Sequence, residues 1–437
     1  MSDHRKALTR TAQLVRAEIF PEIEEDAISD FLITRRVRLV ADERNLACAG
    51  GQTAVIATAI AVAQTGARVG LDMPAVPLVG DQPPLPAGVN LRAGLEALLG
   101  DLINPRLLGP QEPADVAIVF GDTAVPGCEP DAAVLVVGGG AWHARLRPAP
   151  DPRVGRWSTD VPFGPLLAAV AACAETFRTS MGALGLATGQ EPTPQHRIGP
   201  AGAVDLELEP VELANLAQLH GDAISAGAIT NAALAALWRV EELAGTLRTA
   251  DADTGERSNL NRYIHLRGAV LGEAKVQVLA DLAPERLRID PVDVRVTDET
   301  IEDLVPLADH VIVGVDDIPS RWLVQRHAPG WVCVGGTSRM EVVVSEHRPD
   351  TPCAGCMHPQ DEDNQGFIPT VSFVSLLAGV IQAHRLVHYV ATNKTLPAVI
   401  AYGLGLDGPQ PLFPLGQLAR ADCPVGCAAS RAAREAA

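Results

Sequence analysis

Short apolar runs that end in glycine or an acid alternate with longer apolar stretches along the chain. Val37–Val40, Ala67–Asp72, Ala114–Asp122 and Val134–Gly139 read as strands, and the alanine-rich stretches Thr53–Gln64 and Pro162–Arg178 as helices. The alternation returns later, with strands near Asp222–Ser225, Thr246–Thr249, Ala308–Asp316 and Trp331–Gly336 and helices over Asn231–Glu242 and Pro369–Arg385. Strand–glycine turn–helix–strand units of this kind build mainly parallel sheets with helices on their faces.

The two sets occur in the same order. Ala114–Asp122 matches Ala308–Asp316, both apolar and both ending in aspartate, and Val134–Gly139 matches Trp331–Gly336. Pro162–Arg178 parallels Pro369–Arg385, each opening with proline and closing with arginine, and Ala49-Gly50-Gly51 precedes a helix as Ala226-Gly227-Ala228 does. Four pairs in register point to an internal duplication. The expected fold class is therefore α/β, with two tandem Rossmann-like units. Residues 1–185 form the first half, a proline- and glycine-rich linker spans 186–204, and 205–437 form the second half. The stretches 74–88 and 145–165 read as loops within the first half.

Composition narrows the partners. The chain has 437 residues, 47% hydrophobic but only 4% aromatic, so its cores are built from Ala, Val and Leu. A net charge of −18 opposes general binding to nucleic acid or to anionic membrane. Met1-Ser-Asp-His-Arg-Lys6 leads into no apolar signal segment, and charge, glycine or proline interrupts every candidate span, so the expectation is a cytoplasmic protein.

Eight cysteines in such a chain point to metal or reactivity rather than to a disulfide framework. Cys353-Ala-Gly-Cys356 and Cys423-Pro-Val-Gly-Cys427 are two close pairs that supply the four thiolates of a tetrahedral Zn²⁺ site, the alternative being a redox pair with two incidental cysteines. The 11 histidines show no metal-binding spacing; His358, beside Cys356, is a competing ligand but reads better as a loop residue.

The densest chemistry lies in the second half. Asp251 and Asp253 are followed by the polar loop Ser258-Asn259-Leu260-Asn261-Arg262, then Lys275, then Asp316-Asp317 and Arg321. Attack on the α-phosphate of ATP builds negative charge on its oxygens, and arginine, lysine and a carboxylate-held Mg²⁺ are the groups that stabilise it. An acid at a strand end is also placed to hydrogen-bond a ribose hydroxyl. A solvated, salt-bridged loop is the alternative, and the whole spaced set argues against it.

This set resembles the adenylating enzymes of the ThiF/MoeB and ubiquitin-activating superfamily, over roughly residues 205–430 and more faintly before them. The resemblance implies Mg-ATP-dependent adenylation of a carboxylate, usually the C-terminus of a peptide or of a small ubiquitin-like or sulfur-carrier protein. It implies that Asp251 holds the ribose, Asn259 and Arg262 contact phosphates, Lys275 stabilises charge at the α-phosphate, Asp316 holds Mg²⁺ and Gly227 permits close approach. Asp253 and Arg321 read as structural partners, for example through an ion pair. The cysteines would form a structural zinc site that ties the tail to the loop after the sheet. Family members are homodimers or fused pseudo-dimers, so the first half, which has Asp72 and Asp122 but no Ser-Asn-x-x-Arg loop, is expected to be a degenerate partner, with a further homodimer open.

Three departures matter. Only the middle glycine of the family's phosphate loop survives in Ser225-Ala-Gly227-Ala-Ile-Thr230. Asp317 replaces the usual asparagine. The family also uses an arginine from the partner half; Arg35 or Arg36 are the candidates, although both read better as surface residues. The resemblance places the nucleophile of thioester-forming members between Cys356 and Cys423, where no cysteine lies here, and Cys333 ends a predicted buried strand, so the acyl-adenylate is expected to pass to an external nucleophile without an obligatory enzyme thioester. Pro369-Thr370 is a candidate wall for the route of a peptide tail. Two other readings compete: a non-catalytic member that binds a precursor peptide for another enzyme, and a nicotinamide-dependent oxidoreductase, which lacks its glycine fingerprint here.

Overall fold

The structure, a computed structural model, describes all residues except 1, 126–131, 150–153, 194–197, 199–201, 215, 360–368, 402–411 and 436–437. Two helices open the chain, α1 (Asp3–Glu18) and α2 (Glu25–Leu32). The first half continues with β1 (Arg36–Val40), α3 (Ala49–Ala63), β2 (Arg68–Asp72), α4 (Leu91–Leu99), β3 (Val116–Phe120), β4 (Ala133–Gly139), β5 (His143–Pro148), α5 (Phe163–Thr188) and β6 (Val204–Glu207). The second half runs β7 (Leu219–Ile224), α6 (Ala228–Leu237), β8 (Gly245–Ala250), α7 (Lys275–Leu282), β9 (Leu287–Val292), β10 (His310–Val313) and α8 (Ile318–His327). It ends with β11 (Trp331–Ser338), β12 (Glu341–His347), α9 (Ala354–Met357), α10 (Ser372–Thr392), β13 (Ala398–Ala401), β14 (Phe413–Leu415) and α11 (Ala428–Glu435).

Two sheets result, ordered β2-β1-β3-β4-β5-β6 and β14-β13-β12-β11-β10-β7-β8-β9. In the first, β1 to β4 are parallel and β5 and β6 antiparallel. In the second, β7 to β11 are parallel and β12 to β14 antiparallel. Taking β1, β2, β3, β4, β5 and β6 as counterparts of β7, β8, β10, β11, β12 and β13 gives the same spatial order and directions in both halves. The second sheet adds β9 at one edge and β14 at the other.

The low aromatic content is met by helices that are apolar all round. Every residue of α3 is buried, as is every described position of α6 after its first, which is the pattern of a helix with packing partners on all sides. α10 approaches α6 closely enough that a Cβ on Gly379 would lie 2.4 Å from the Ala232 Cβ. α10 is long and apolar enough to cross a membrane, but nine-tenths of it is packed inside this core.

Several boundaries differ from those the sequence suggests. β5 falls where 145–165 reads as loop, because its alternating Ala144 and Leu146 face the core while Arg145 and Arg147 face out. α5 runs to Thr188, and β6 joins the first sheet just beyond the glycine- and proline-rich segment, part of which (194–197 and 199–201) lies outside the described residues. α6 starts three residues early and stops at Leu237, where Arg239 turns back to donate to the Ala235 carbonyl.

Of the two N-terminal helices, α2 stays with the first half, its Leu32 packing at Gly66, whereas α1 also reaches the second half. α1 is pinned to the second half along its length, by Asp3 with Arg257 (3.7 Å), Thr11 with Asn261 (3.0 Å) and Glu18 with Arg339 (2.9 Å).

Candidate functional site

A cavity of about 220 Å³ opens at the C-terminal ends of β7, β8 and β10, the end of a parallel sheet where strand-to-helix turns converge on ligands. After β7, Ser225 takes a left-handed backbone (φ 83°) and Gly227 caps α6, so the start of that helix faces the cavity. Asp251, just past β8, fastens this turn. Its Oδ2 accepts from the Ala226 amide (2.8 Å) and the Ser225 hydroxyl (3.3 Å), and its Oδ1 accepts from the Asp253 amide (2.8 Å).

The polar loop forms a 3₁₀ turn over Arg257–Asn259. Arg262 follows it, with Nη1 donating to the Ser258 carbonyl (2.8 Å) and to Asn261 Oδ1 (2.7 Å). Its guanidinium and the Lys275 ammonium both lie near the ring of buried Tyr263, at 5.3 and 5.6 Å from the centroid, a cation–π arrangement that orients both cations. Lys275 begins α7 and donates to Asp253 Oδ2 at 2.8 Å. Burial alone would lower its pKa, but Tyr263, Asp251 and Asp253 outweigh burial and raise it. The hydrogen bond from Lys275 holds Asp253 below the usual carboxylate range, with Arg295 (2.6 Å) assisting. Asp316 lies in the loop after β10 and lines the cavity. Its neighbour Asp317 is committed to capping α8 through the Ser320 amide.

Gly227, Asp251, Arg262, Lys275 and Asp316 thus all line one cavity. Asn259 is not among the lining residues; its side chain turns inward, Oδ1 accepting from the Glu256 amide at 2.9 Å as part of a capping box. Asp253 and Arg321 do not pair with each other. Asp253 bonds Lys275 and Arg295, while Arg321 donates twice to the Val315 carbonyl and so fixes the loop that carries Asp316.

Arg35 and Arg36 both pair with Asp115, at the opposite end of the first sheet. The cavity instead receives Arg10 from α1. Burial and the nearby Arg262 lower its pKa, and Asp316 counters them, which places Arg10 within the electrostatic reach of both. The signal for α1 was present in the sequence: Ser2 before an acidic first turn, then apolar Ala7, Leu8, Leu14 and Val15 at helical spacing.

The corresponding position in the first half is filled. At the start of α3 the Ala49 amide donates to Asp160 Oδ1 (2.9 Å) and the Gly50 amide to the Thr159 carbonyl (3.0 Å). Asp122, two residues past β3, accepts from Asn45 Nδ2 at 3.0 Å. The chain's own carboxylate therefore occupies the place where a phosphate would meet that helix.

Cys353, Cys356, Cys423 and Cys427 place their sulfurs within 4.8 Å of one another, with separations of 3.4, 3.7 and 4.0 Å among the closer pairs. A tetrahedron of Zn–S bonds of about 2.3 Å has sulfur–sulfur edges of about 3.8 Å, so the four thiols fit Zn²⁺. Burial pushes the Cys353 thiol well above its usual range, a cost that a bound dication would reverse. His358 stays outside the cluster: its carbonyl accepts from Trp322 Nε1, and burial and Arg321 drop its pKa to about 4. Cys333 is fully buried and does not line the cavity; burial and Glu346 raise its thiol pKa well above the ordinary value.

Residues 223–425 match the model of the ThiF family. The chain is 28% identical over 292 residues to an uncharacterized protein, y4jF, of Sinorhizobium fredii, covering 63% of this chain and 53% of that one. It is 26% identical over 171 residues to the SAMP-activating enzyme E1 of Haloferax volcanii, covering 38% of this chain and 62% of that one. It thus spans between half and two thirds of the length of these curated relatives. A crystal structure of E. coli MccB is 17% identical with a TM-score of 0.40, covering 49% of this chain and 67% of that one.

Proposed function

We propose that the chain, whose residues 223–425 match the ThiF family model, is an ATP-dependent adenylyltransferase acting on the C-terminal carboxylate of a peptide or of a small ubiquitin-like or carrier protein. The observation that carries the reading is the convergence of Arg10, Arg262, Lys275 and Asp316 on one cavity at the head of α6. Likeness to an enzyme named as SAMP-activating supports a small protein as partner.

In this reading a substrate carboxylate oxygen attacks the α-phosphorus, the bond to the β-phosphate breaks, and pyrophosphate leaves with the electron pair. Lys275 and Arg262 offset the charge that grows on the α-phosphate oxygens, and the amides at the start of α6 receive phosphate. Asp316 would hold Mg²⁺, which supplies charge neutralisation across the phosphates. Arg10 extends the first half into the second half's chemistry. Asp251, already tied to the turn, keeps the loop in shape and faces the cavity where a ribose would sit.

The first half then serves as a degenerate partner that binds no nucleotide, its anion position being filled by Asp160 and Thr159. The acyl-adenylate passes to an external nucleophile without a thioester on Cys333, whose burial supports this. The four cysteines hold a structural zinc. A non-catalytic peptide-binding role is favoured by one feature, the loss of the outer phosphate-loop glycines, with Ser225 standing at a left-handed position.

ATP–pyrophosphate exchange with candidate C-terminal peptides, compared between wild type and Asp316→Ala, tests the proposal. Exchange that depends on peptide and on Asp316 supports it; Mg-ATP binding without exchange for any peptide favours the non-catalytic reading.

A further inference from the structure

Asn261 belongs to the polar loop but does not line the cavity. It is fully buried, and its amide is used from both ends. Oδ1 accepts from Arg262 Nη1 at 2.7 Å. Nδ2 donates to the Thr11 hydroxyl on α1 at 3.0 Å and to the Thr370 carbonyl, just before α10, at 3.2 Å. One side chain therefore joins three segments that all line the cavity, through Arg262, through Thr370 and through Arg10, the neighbour of Thr11.

The junction meets an electrostatic difficulty. Arg10 and Arg262 are close enough to repel each other, and the repulsion adds to the burial that already disfavours the charge on Arg10. Asp316 counters part of that repulsion, and fixing the backbones that carry the two arginines holds them together further. Two further contacts of α1 with the second half, Asp3 with Arg257 and Glu18 with Arg339, lie toward its two ends and include exposed groups, which are weakly held. Thr11 and Asn261 are both buried, and Thr11 lies next to Arg10.

We propose that Asn261 is the positioning residue that sets Arg262 and Arg10 together against the nucleotide's phosphates, acting on Arg10 through Thr11. Asn261 itself touches no substrate. It holds Arg262 directly, and it holds Arg10 by locking the register of α1 against the polar loop, so the first half's contribution to the site is set by one amide. The inference rests on the nucleotide-binding reading of the cavity.

The test is a double-mutant cycle read by binding of α,β-methylene-ATP with Mg²⁺, which requires no carboxylate substrate. Thr11→Val removes the hydroxyl at nearly constant volume and so avoids the unfolding that Asn261→Ala would risk. A lost hydrogen bond of about 1 kcal/mol corresponds to roughly fivefold weaker binding, which is expected for Thr11→Val, while Thr11→Ser, which keeps the hydroxyl, binds like wild type. In an Arg10→Ala background, Thr11→Val is expected to change affinity by less than about twofold, because the group it positions is gone. Equal effects of Thr11→Val in both backgrounds, or weakening by Thr11→Ser as large as by Thr11→Val, overturn the junction. Wild type that binds no nucleotide overturns the underlying reading instead, so the two failures are distinct.

Discussion

Lys275 donates to Asp253 Oδ2 at 2.8 Å, from the first turn of α7 to the loop after β8, and the same carboxylate receives Arg295 on its other oxygen. This clamp holds Lys275 at the cavity before any ligand arrives. Asp253 has a lowered pKa in the folded chain, so its contribution is fully present above the ordinary aspartate value of 3.8 and fades as pH falls through its folded value. The melting temperature of Asp253→Asn is therefore expected to lie below that of wild type by a constant margin at neutral and mildly acid pH. The margin closes below about pH 4. A margin unchanged at the lowest pH at which both variants still fold would show that the carboxylate's charge is not what matters.

Arg262→Ala and Lys275→Ala should each lower pyrophosphate exchange by about 10²–10³, the usual cost of removing an electrostatic contact to a transition state. Arg10→Ala should do the same, although it lies more than 200 residues away in sequence. Arg35→Ala and Arg36→Ala, at the far end of the first sheet, should leave exchange within about twofold. Wild-type rates in the Arg10 variant would remove the first half from the chemistry.

Zinc removal should act on stability. Metal analysis is expected to find one Zn²⁺ per chain. Chelation or Cys353→Ser should lower the melting temperature by roughly 5 °C or more, given about 2–4 °C per kcal/mol for a domain of this size. An unchanged melting curve after complete metal loss would contradict a structural site.

Ser225 holds a left-handed backbone, at a cost of about 1–2 kcal/mol for a residue with a Cβ. Its hydroxyl compensates by accepting from the Gly227 amide (3.0 Å) and donating to Asp251. Ser225→Ala keeps the strain and loses both bonds, whereas Ser225→Gly loses the bonds and the strain together. The alanine variant is thus expected to be less stable than the glycine variant by about 1 kcal/mol, as measured by urea unfolding. The reverse order would remove the strain argument.

Much of this was readable in the sequence, for reasons that can be named. Parallel strands buried on both faces leave unbroken apolar runs, so Val116–Phe120 and His310–Val313 stood out, and the strand-end acids Asp251 and Asp316 marked the cavity. Cysteine spacing alone gathered the four thiols. What escaped depends on tertiary placement. Nothing in the sequence says that α1 reaches the other half, so Arg35 and Arg36 read as the candidates where the cavity receives Arg10. Asn259 reads as a phosphate ligand by motif, yet the 3₁₀ turn spends its side chain on the Glu256 amide. The Asp253–Lys275 pair displaced the expected Asp253–Arg321 partnership because α7 begins beside the loop after β8.

Equilibrium titration of Mg-ATP into the intact chain tests the central claim most directly. The account predicts one nucleotide per chain, with affinity lowered at least tenfold by Lys275→Ala and no second site in the first half. Absence of ATP binding together with tight NADH binding, or full affinity in the Lys275 variant, would contradict it.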